Sequence, residues 1–352
     1  MRRLVLLLAA VLASACGQAS VGNPFARATP HEQYAQALEQ AGLADTALAR
    51  DWLSAAQQAL FEPKSATLPL TNTVRHDPAK PTAYGYRLAL QRGRVLRVQL
   101  DVTADAPAIV FVDLFELQGP DEPPRHLESA DRESTAIEHE VRRDGTYILR
   151  IQPELLRGGM LTIGQRTTAA LLFPVKGRST AAVQSFFRDP RDNNTRDHHG
   201  IDIFAPRNTP VLAAADGYVT SVGTNRLGGN VVWIFDPSRG QSHYYAHLET
   251  QAVSGGERVQ AGDIVGYVGN TGNARTTPPH LHFGIYSRGE GPLDPLPFVA
   301  GEYRGATGSK EATGDTGNTG NTEAMGPTGN TENTEEAGRG GKTRDTGTTR
   351  GH

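Results

Sequence analysis

Five residues in the second half of the chain have the types and spacing to build a metal centre: His198, Asp202, His247, His280 and His282. In His280-Leu281-His282-Phe283 two imidazoles lie two positions apart. In an extended strand such residues face the same side, so His280 and His282 project together while Leu281 and Phe283 enter an apolar interior. In His198-His199-Gly200-Ile201-Asp202 an imidazole and a carboxylate are separated by a glycine that lets the backbone bend or approach a neighbour closely. Zinc accepts histidine nitrogen and aspartate oxygen, and catalytic zinc sites use three protein ligands with one position left for water. His198, Asp202 and His282 supply such a set. A histidine pair alone would be an ordinary feature of a strand surface; its coincidence with the other segments points to chemistry.

The order His198-x-Gly200-Ile201-Asp202-Ile203, then Tyr245-Ala246-His247-Leu248, then His280-Leu281-His282-Phe283-Gly284 resembles the lysostaphin and LytM family of zinc endopeptidases. The match runs from Phe187-Arg188-Asp189-Pro190 to Asp294-Pro295 and leaves the first half of the chain untouched. The resemblance implies one zinc ion per chain, held by His198, Asp202 and His282. It implies His247 and His280 as the catalytic pair around a metal-activated water, with the choice of general base left open. It also implies peptidoglycan as substrate, through D-alanyl cross-links to diaminopimelate or glycine-rich cross-bridges. No position of the motif is missing, which sets an active hydrolase ahead of the alternative: a non-catalytic module of the same fold that binds cell wall or activates an amidase.

Other residues near these motifs have two readings each. His199 adjoins a ligand but points away from it in an extended segment, towards solvent. His243 shares strand parity with Tyr245 and His247, which would bring it to the cleft edge. Tyr245 is a hydrogen-bond donor to a developing oxyanion or else a packing residue. Asn230, after Gly228-Gly229, contacts the substrate backbone or shapes a turn.

These residues need a scaffold, and the glycines outline it. Gly217, Gly223, Gly255-Gly256, Gly262, Gly266 and Gly269 punctuate short runs such as 231–235 and 264–268, the pattern of a compact antiparallel β domain with tight turns. No P-loop sequence accompanies them. The peptidase domain is assigned to 167–302 and holds six of the eleven histidines. Upstream, Tyr84, Tyr86, Leu88 and Leu90, then Leu96, Val98, Leu100 and Val102, alternate with period two, which predicts a small β-sandwich over 64–166. Before it, Thr29-Pro30-His31-Glu32 reads as a capping box, and two helical patterns separated by Gly42 and stopped by Pro63 predict a helical hairpin over 29–63. The fold class expected is therefore mainly β, with a helical hairpin and a sandwich ahead of the peptidase domain.

The ends carry different signals. Arg2 and Arg3 precede a short apolar run, Leu4 to Leu12, too short to span a bilayer, as in a signal peptide over 1–15. Ala13-Ser14-Ala15-Cys16 resembles the lipobox of bacterial lipoproteins, which makes Cys16, the one cysteine in the sequence, the expected lipidation site. Gly17 in place of Asp implies an outer-membrane anchor facing the periplasm, with 16–28 as a tether. With Cys16 committed there, no internal disulfide is expected. The Thr/Gly/Asn-rich segment 303–352 has almost no apolar residues and is expected to be a disordered tail. The 35 basic residues against 38 acidic ones exclude the basic footprint of a nucleic-acid binder. Protein partners leave no trace in the sequence.

Overall fold

The computed structural model describes residues 28–104, 107–119 and 122–301; the leader, Cys16, the tether to residue 27 and the tail from 303 lie outside the described residues. Thr29 opens helix α1 (Pro30–Gln40) with the reciprocal box its spacing predicts: its hydroxyl accepts from Glu32 N at 3.1 Å, and the Glu32 carboxylate accepts from Thr29 N at 2.8 Å. Gly42, at φ +69°, ends that helix. Thr46 caps helix α2 (Ala47–Phe61), which stops ahead of Pro63.

Two β-sheets follow. Their strands are β1 (Lys64–Ala66), β2 (Leu70–His76), β3 (Tyr84–Leu90), β4 (Arg94–Thr103), β5 (Val110–Glu116), β6 (Arg125–Ser129), β7 (Ala136–Glu140), β8 (Gly145–Pro153) and β9 (Gly159–Ala169). Among the described residues they pair as β1-β3-β8-β5-β6 and β2-β9-β4-β7. Leu88, Leu96, Leu114, Leu149, Ile151 and Ile163 are fully buried between the sheets, which is the consequence of the alternation in their strands. β5 is buried along its whole length because it is covered twice. Its Leu114 enters the sandwich, and its Phe111 faces the helical hairpin, meeting Trp52 at 5.9 Å. The purpose of the hairpin in the fold is thus to cover the outer face of the first sheet.

That contact has a polar centre. Trp52 is fully buried and donates its indole N–H to Pro153 O at 2.9 Å. Gln152 Nε2 donates to Trp52 O at 2.8 Å, which leaves Gln152 Oε1 as acceptor for His31 Nε2 at 2.7 Å. His31 stacks on Trp52 at 4.5 Å. Burial, and then the Arg150 charge, push His31 down to about 4. A histidine that stays neutral when folded but protonates near its ordinary value when unfolded adds stability above that ordinary value, and the stability is lost as pH falls towards the folded one. Lowering the pH from 7 to 5 is therefore expected to remove roughly 2 kcal/mol through His31. Denaturant unfolding at both pH values checks this: His31→Asn should flatten the pH dependence by about that amount, and an unchanged slope would remove His31 from the acid response.

The second half of the described chain forms one antiparallel sheet of ten strands and a separate two-stranded pair. Its strands are β10 (Val183–Ser185), β11 (Pro190–Arg191), β12 (Arg196–Asp197), β13 (Ile201–Phe204), β14 (Pro210–Leu212), β15 (Gly217–Asn225), β16 (Gly229–Asp236), β17 (Gln241–Gln251), β18 (Arg258–Val259), β19 (Ile264–Val268), β20 (His280–Ser287) and β21 (Gly291–Leu293). The main path is β10-β13-β20-β17-β16-β15-β18, while β14 and β19 pair with each other and close the core at β17; the separate pair is β11-β12. A short helix, α3 (Leu296–Val299), ends the described chain. Ile201, Ile203, Val232, Ile234, Tyr245, Leu248, Leu281, Phe283 and Ile285 are all buried on one side of the sheet. The other side is open, and the chemistry lies there.

The sandwich is tied to this part of the chain through two arginines. Arg94, only 1% exposed, donates to Ala300 O at 2.5 Å and Gly301 O at 2.6 Å, and to Pro297 O and Thr167 O at 3.2 Å. Arg239, at the β16–β17 turn, makes a two-pronged bond to Glu140 of β7 at 2.8 and 2.9 Å and a third to Asp236 at 2.8 Å.

Candidate metal centre and cleft

β13 and β20 run antiparallel with Asp202 opposite His282 and Phe204 opposite His280. Strand parity sends Ile201, Ile203, Leu281 and Phe283 into the core, and sends Asp202, His280 and His282 to the open face. His198 enters from the segment just before β13. His198 Nε2 lies 2.9 Å from Asp202 Oδ1 and 2.9 Å from His282 Nδ1, and His282 Nδ1 lies 3.0 Å from Asp202 Oδ1.

The protons cannot account for this triangle. His198 Nδ1 is 2.8 Å from Phe186 O, a group that only accepts, so the ring hydrogen sits on Nδ1 and Nε2 presents a lone pair. Asp202 Oδ1 is also an acceptor. With both imidazoles neutral, at most one proton, on His282 Nδ1, can sit among three atoms that converge on one point. Two imidazole nitrogens and one carboxylate oxygen in that arrangement fit a zinc ion. Arg191 supports the set from behind, donating to Asp202 Oδ2 at 2.8 Å and to Ser185 Oγ at 2.5 Å, which leaves Oδ1 as the oxygen turned to the cluster. Burial alone would raise the Asp202 carboxyl, but the His198 and His282 imidazoles against it hold it well below the usual range. Burial keeps His282 low, against the pull of Asp202.

Gly200 is where the backbone comes too close for a side chain: a Cβ there would lie 2.4 Å from Phe283 O and 2.8 Å from His282 Cε1. Close approach to β20, rather than bending, is its role.

His247 reaches the open face by a different route. In the pairing of β16 with β17, Val232 lies opposite Tyr245 and Asn230 opposite Leu248, so an extra residue is accommodated between them. His247 sits in that bulge at φ +62°, with its N–H donating to Gly228 O at 2.7 Å. Tyr245 and Leu248 both enter the core, while the bulge turns His247 to the cleft. Its ring is 5.0 Å from that of His280 and 5.9 Å from that of His282. His247 Nδ1 donates to Thr271 O at 2.9 Å and His280 Nδ1 to Pro278 O at 2.9 Å, which leaves the Nε2 atom of each as a lone-pair base. Burial, and then the charges of His282 and His280, push His247 down to about 4.

The bulge corrects the parity argument for three residues. His243 and Tyr245 do share a face, but it is the core face, and His247 leaves it. His243 is fully buried against Phe283 at 6.0 Å and does not reach the cleft edge. The Tyr245 hydroxyl accepts from Ala214 N at 2.9 Å inside the core and is no oxyanion donor. Asn230 spends both ends of its amide internally, donating to Leu248 O and Glu249 O at 3.2 and 3.0 Å and accepting from Thr224 Oγ1 at 2.9 Å, so it braces the bulge instead of a substrate. His199 is half-buried at the cleft wall. The sequence reading also missed Arg191, Trp233, Tyr244 and Tyr286, all of which line the cleft.

The five motif residues share one open cleft of about 670 Å³. Among the described residues, none from the helical hairpin or the sandwich lines it.

Residues 196–295 match the profile of peptidase family M23, and the chain carries a domain of that family. An L-Ala--D-Glu endopeptidase of Bacillus subtilis is 36% identical over 138 residues, covering 36% of this chain and 42% of that one. A glycyl-glycine endopeptidase of Staphylococcus capitis is 36% identical over 132 residues, covering 36% of each. The chain thus spans less than half the length of these curated relatives. The solved catalytic domain of lysostaphin from Staphylococcus simulans is 32% identical, with 33% of this chain and 88% of that chain covered and a TM-score of 0.31. The two named relatives act on different bonds, so their names leave the bond open.

Proposed function

We propose that this chain is a zinc-dependent endopeptidase that hydrolyses peptide cross-links of bacterial peptidoglycan. The observation that carries the reading is the pairing, in one cleft, of three converging donors with two imidazoles whose Nδ1 atoms are fixed by backbone carbonyls. His198, Asp202 and His282 would hold the metal. When bound in such a set, zinc acidifies water and polarises a carbonyl. His247 and His280, neighbours with their rings 5.0 Å apart, present Nε2 lone pairs to the cleft, positioned to take a proton from the attacking water and return one to the leaving amine. Thr271 and Pro278 carbonyls hold those rings in the tautomer the task needs. Arg191 keeps Asp202 oriented.

The lipoprotein address tilts the choice of bond. A lipoprotein facing the periplasm meets diaminopimelate cross-links, so purified dimers joined by D-alanyl-diaminopimelate are expected to be cut at least tenfold faster than glycine-bridged ones. Chromatography with mass detection of the products checks this, and the reverse preference would reject the assignment. The address itself, a lipid anchor on Cys16 at the outer membrane, rests on Ala13-Ser14-Ala15-Cys16. Mass spectrometry of the mature N-terminus should find an acylated Cys16; an unmodified chain would end that proposal.

A further inference from the structure

Beside the metal donors the open face of the sheet carries aromatic rings that the catalytic reading does not use. Trp233 of β16 lies opposite Tyr244 of β17, and their rings are 4.4 Å apart. Tyr286 of β20 joins them at 5.1 Å from Trp233, and Tyr244 meets the His282 ring edge-on at 5.8 Å. All three are half-buried and face the cleft, while Ile234, Tyr245 and Ile285 on the reverse of the same strands fill the core. The fold is thus already served from the other side. Rings left in contact with water at the edge of a reactive site mark a binding surface.

The sheet geometry restricts what such a surface holds. A peptide recognised as an added strand needs a free edge with unpaired backbone groups. β16, β17 and β20 are interior strands, each paired on both sides. The platform therefore offers half-exposed aromatic surface and a polar rim, including Arg196 and Asn225, but no backbone ladder. A pyranose ring matches that offer: its C–H face is apolar enough to stack, and its hydroxyl and acetamido groups leave at the edges towards polar side chains.

We propose that Trp233, Tyr244 and Tyr286 form a glycan subsite that seats an N-acetylated sugar of the peptidoglycan strand next to the peptide being cut. This rests on the peptidoglycan reading above. The stem peptide would then run from the platform to the metal donors, and substrates that keep their sugars would be preferred over free cross-linked peptides.

Two measurements on the zinc-loaded mature chain test this. In calorimetry, tetra-N-acetylchitotetraose should bind the wild type, at least tenfold more weakly to Trp233→Ala and Tyr286→Ala, and within threefold of wild type to Trp233→Phe. In kinetics with cross-linked dimers that keep or lack their disaccharides, kcat/KM should be at least tenfold higher with sugar, and the alanine variants should lose at least tenfold more on the sugar-bearing dimer than on the bare one. Absence of chitotetraose binding, or equal losses on both dimers, would overturn the subsite and assign the rings to the peptide. Chitotetraose binding through Trp233 with neither dimer cut would keep the subsite and reject the enzyme reading.

Discussion

Alanine at His247 or His280 is expected to leave zinc at one per chain and to lower turnover by roughly 10²–10⁴-fold, the usual range for removing a general acid or base. Alanine at His282 or Asp202 is expected to abolish both zinc binding and activity. The difference follows from where the lone pairs point. His282 Nδ1 and Asp202 Oδ1 lie 3.0 Å apart in the donor triangle. His247 and His280 spend Nδ1 on backbone carbonyls at 2.9 Å and lie outside the triangle. Their removal leaves the His198, Asp202 and His282 set complete. Elemental analysis after dialysis, run beside a cleavage assay, separates the two groups. Equal zinc loss in all four variants would contradict the division between ligands and proton carriers.

The largest expected loss of stability is at the junction of sandwich and peptidase sheet. Arg94→Met should cost about 2–3 kcal/mol, the upper part of the range for leaving buried acceptors without their donor. Arg94 gathers carbonyls from Thr167, Pro297, Ala300 and Gly301, and the buried Thr167 and Ala300 acceptors would be left dry without a donor. Methionine keeps most of the volume, so packing loss contributes little. Zinc content should survive, because no described sandwich residue lines the cleft. Denaturant unfolding gives the number, and a loss under about 1 kcal/mol would show that the carbonyls find other donors.

The site was legible in the sequence wherever regular parity applied. His280 and His282 share a face because β20 is an unbroken strand, and Asp202 meets them because β13 pairs with it in register. The capping box at Thr29 and the alternation through Leu88 and Leu96 were legible for the same reason, since local hydrogen bonding and periodicity act over a few residues. Parity failed at His247. A bulge is a tertiary feature, braced here by Asn230 of β16 and by Thr271 from the loop after β19, and one extra residue reverses which of His243, Tyr245 and His247 reach the cleft. Tyr244, the neighbour passed over, faces the site, and Tyr245, chosen for its motif, fills the core. Arg191 was illegible because nothing local links it to Asp202, eleven residues on; the β11–β12 turn and β13 bring them together.

The most direct test of the central claim is muropeptide analysis of purified peptidoglycan after incubation with the zinc-loaded mature chain, with and without a chelator. The account predicts one zinc per chain and a fall in cross-linked muropeptides only while the metal is bound. A chain that binds no zinc, or one that holds zinc at His198, Asp202 and His282 and leaves every cross-link intact, would contradict it.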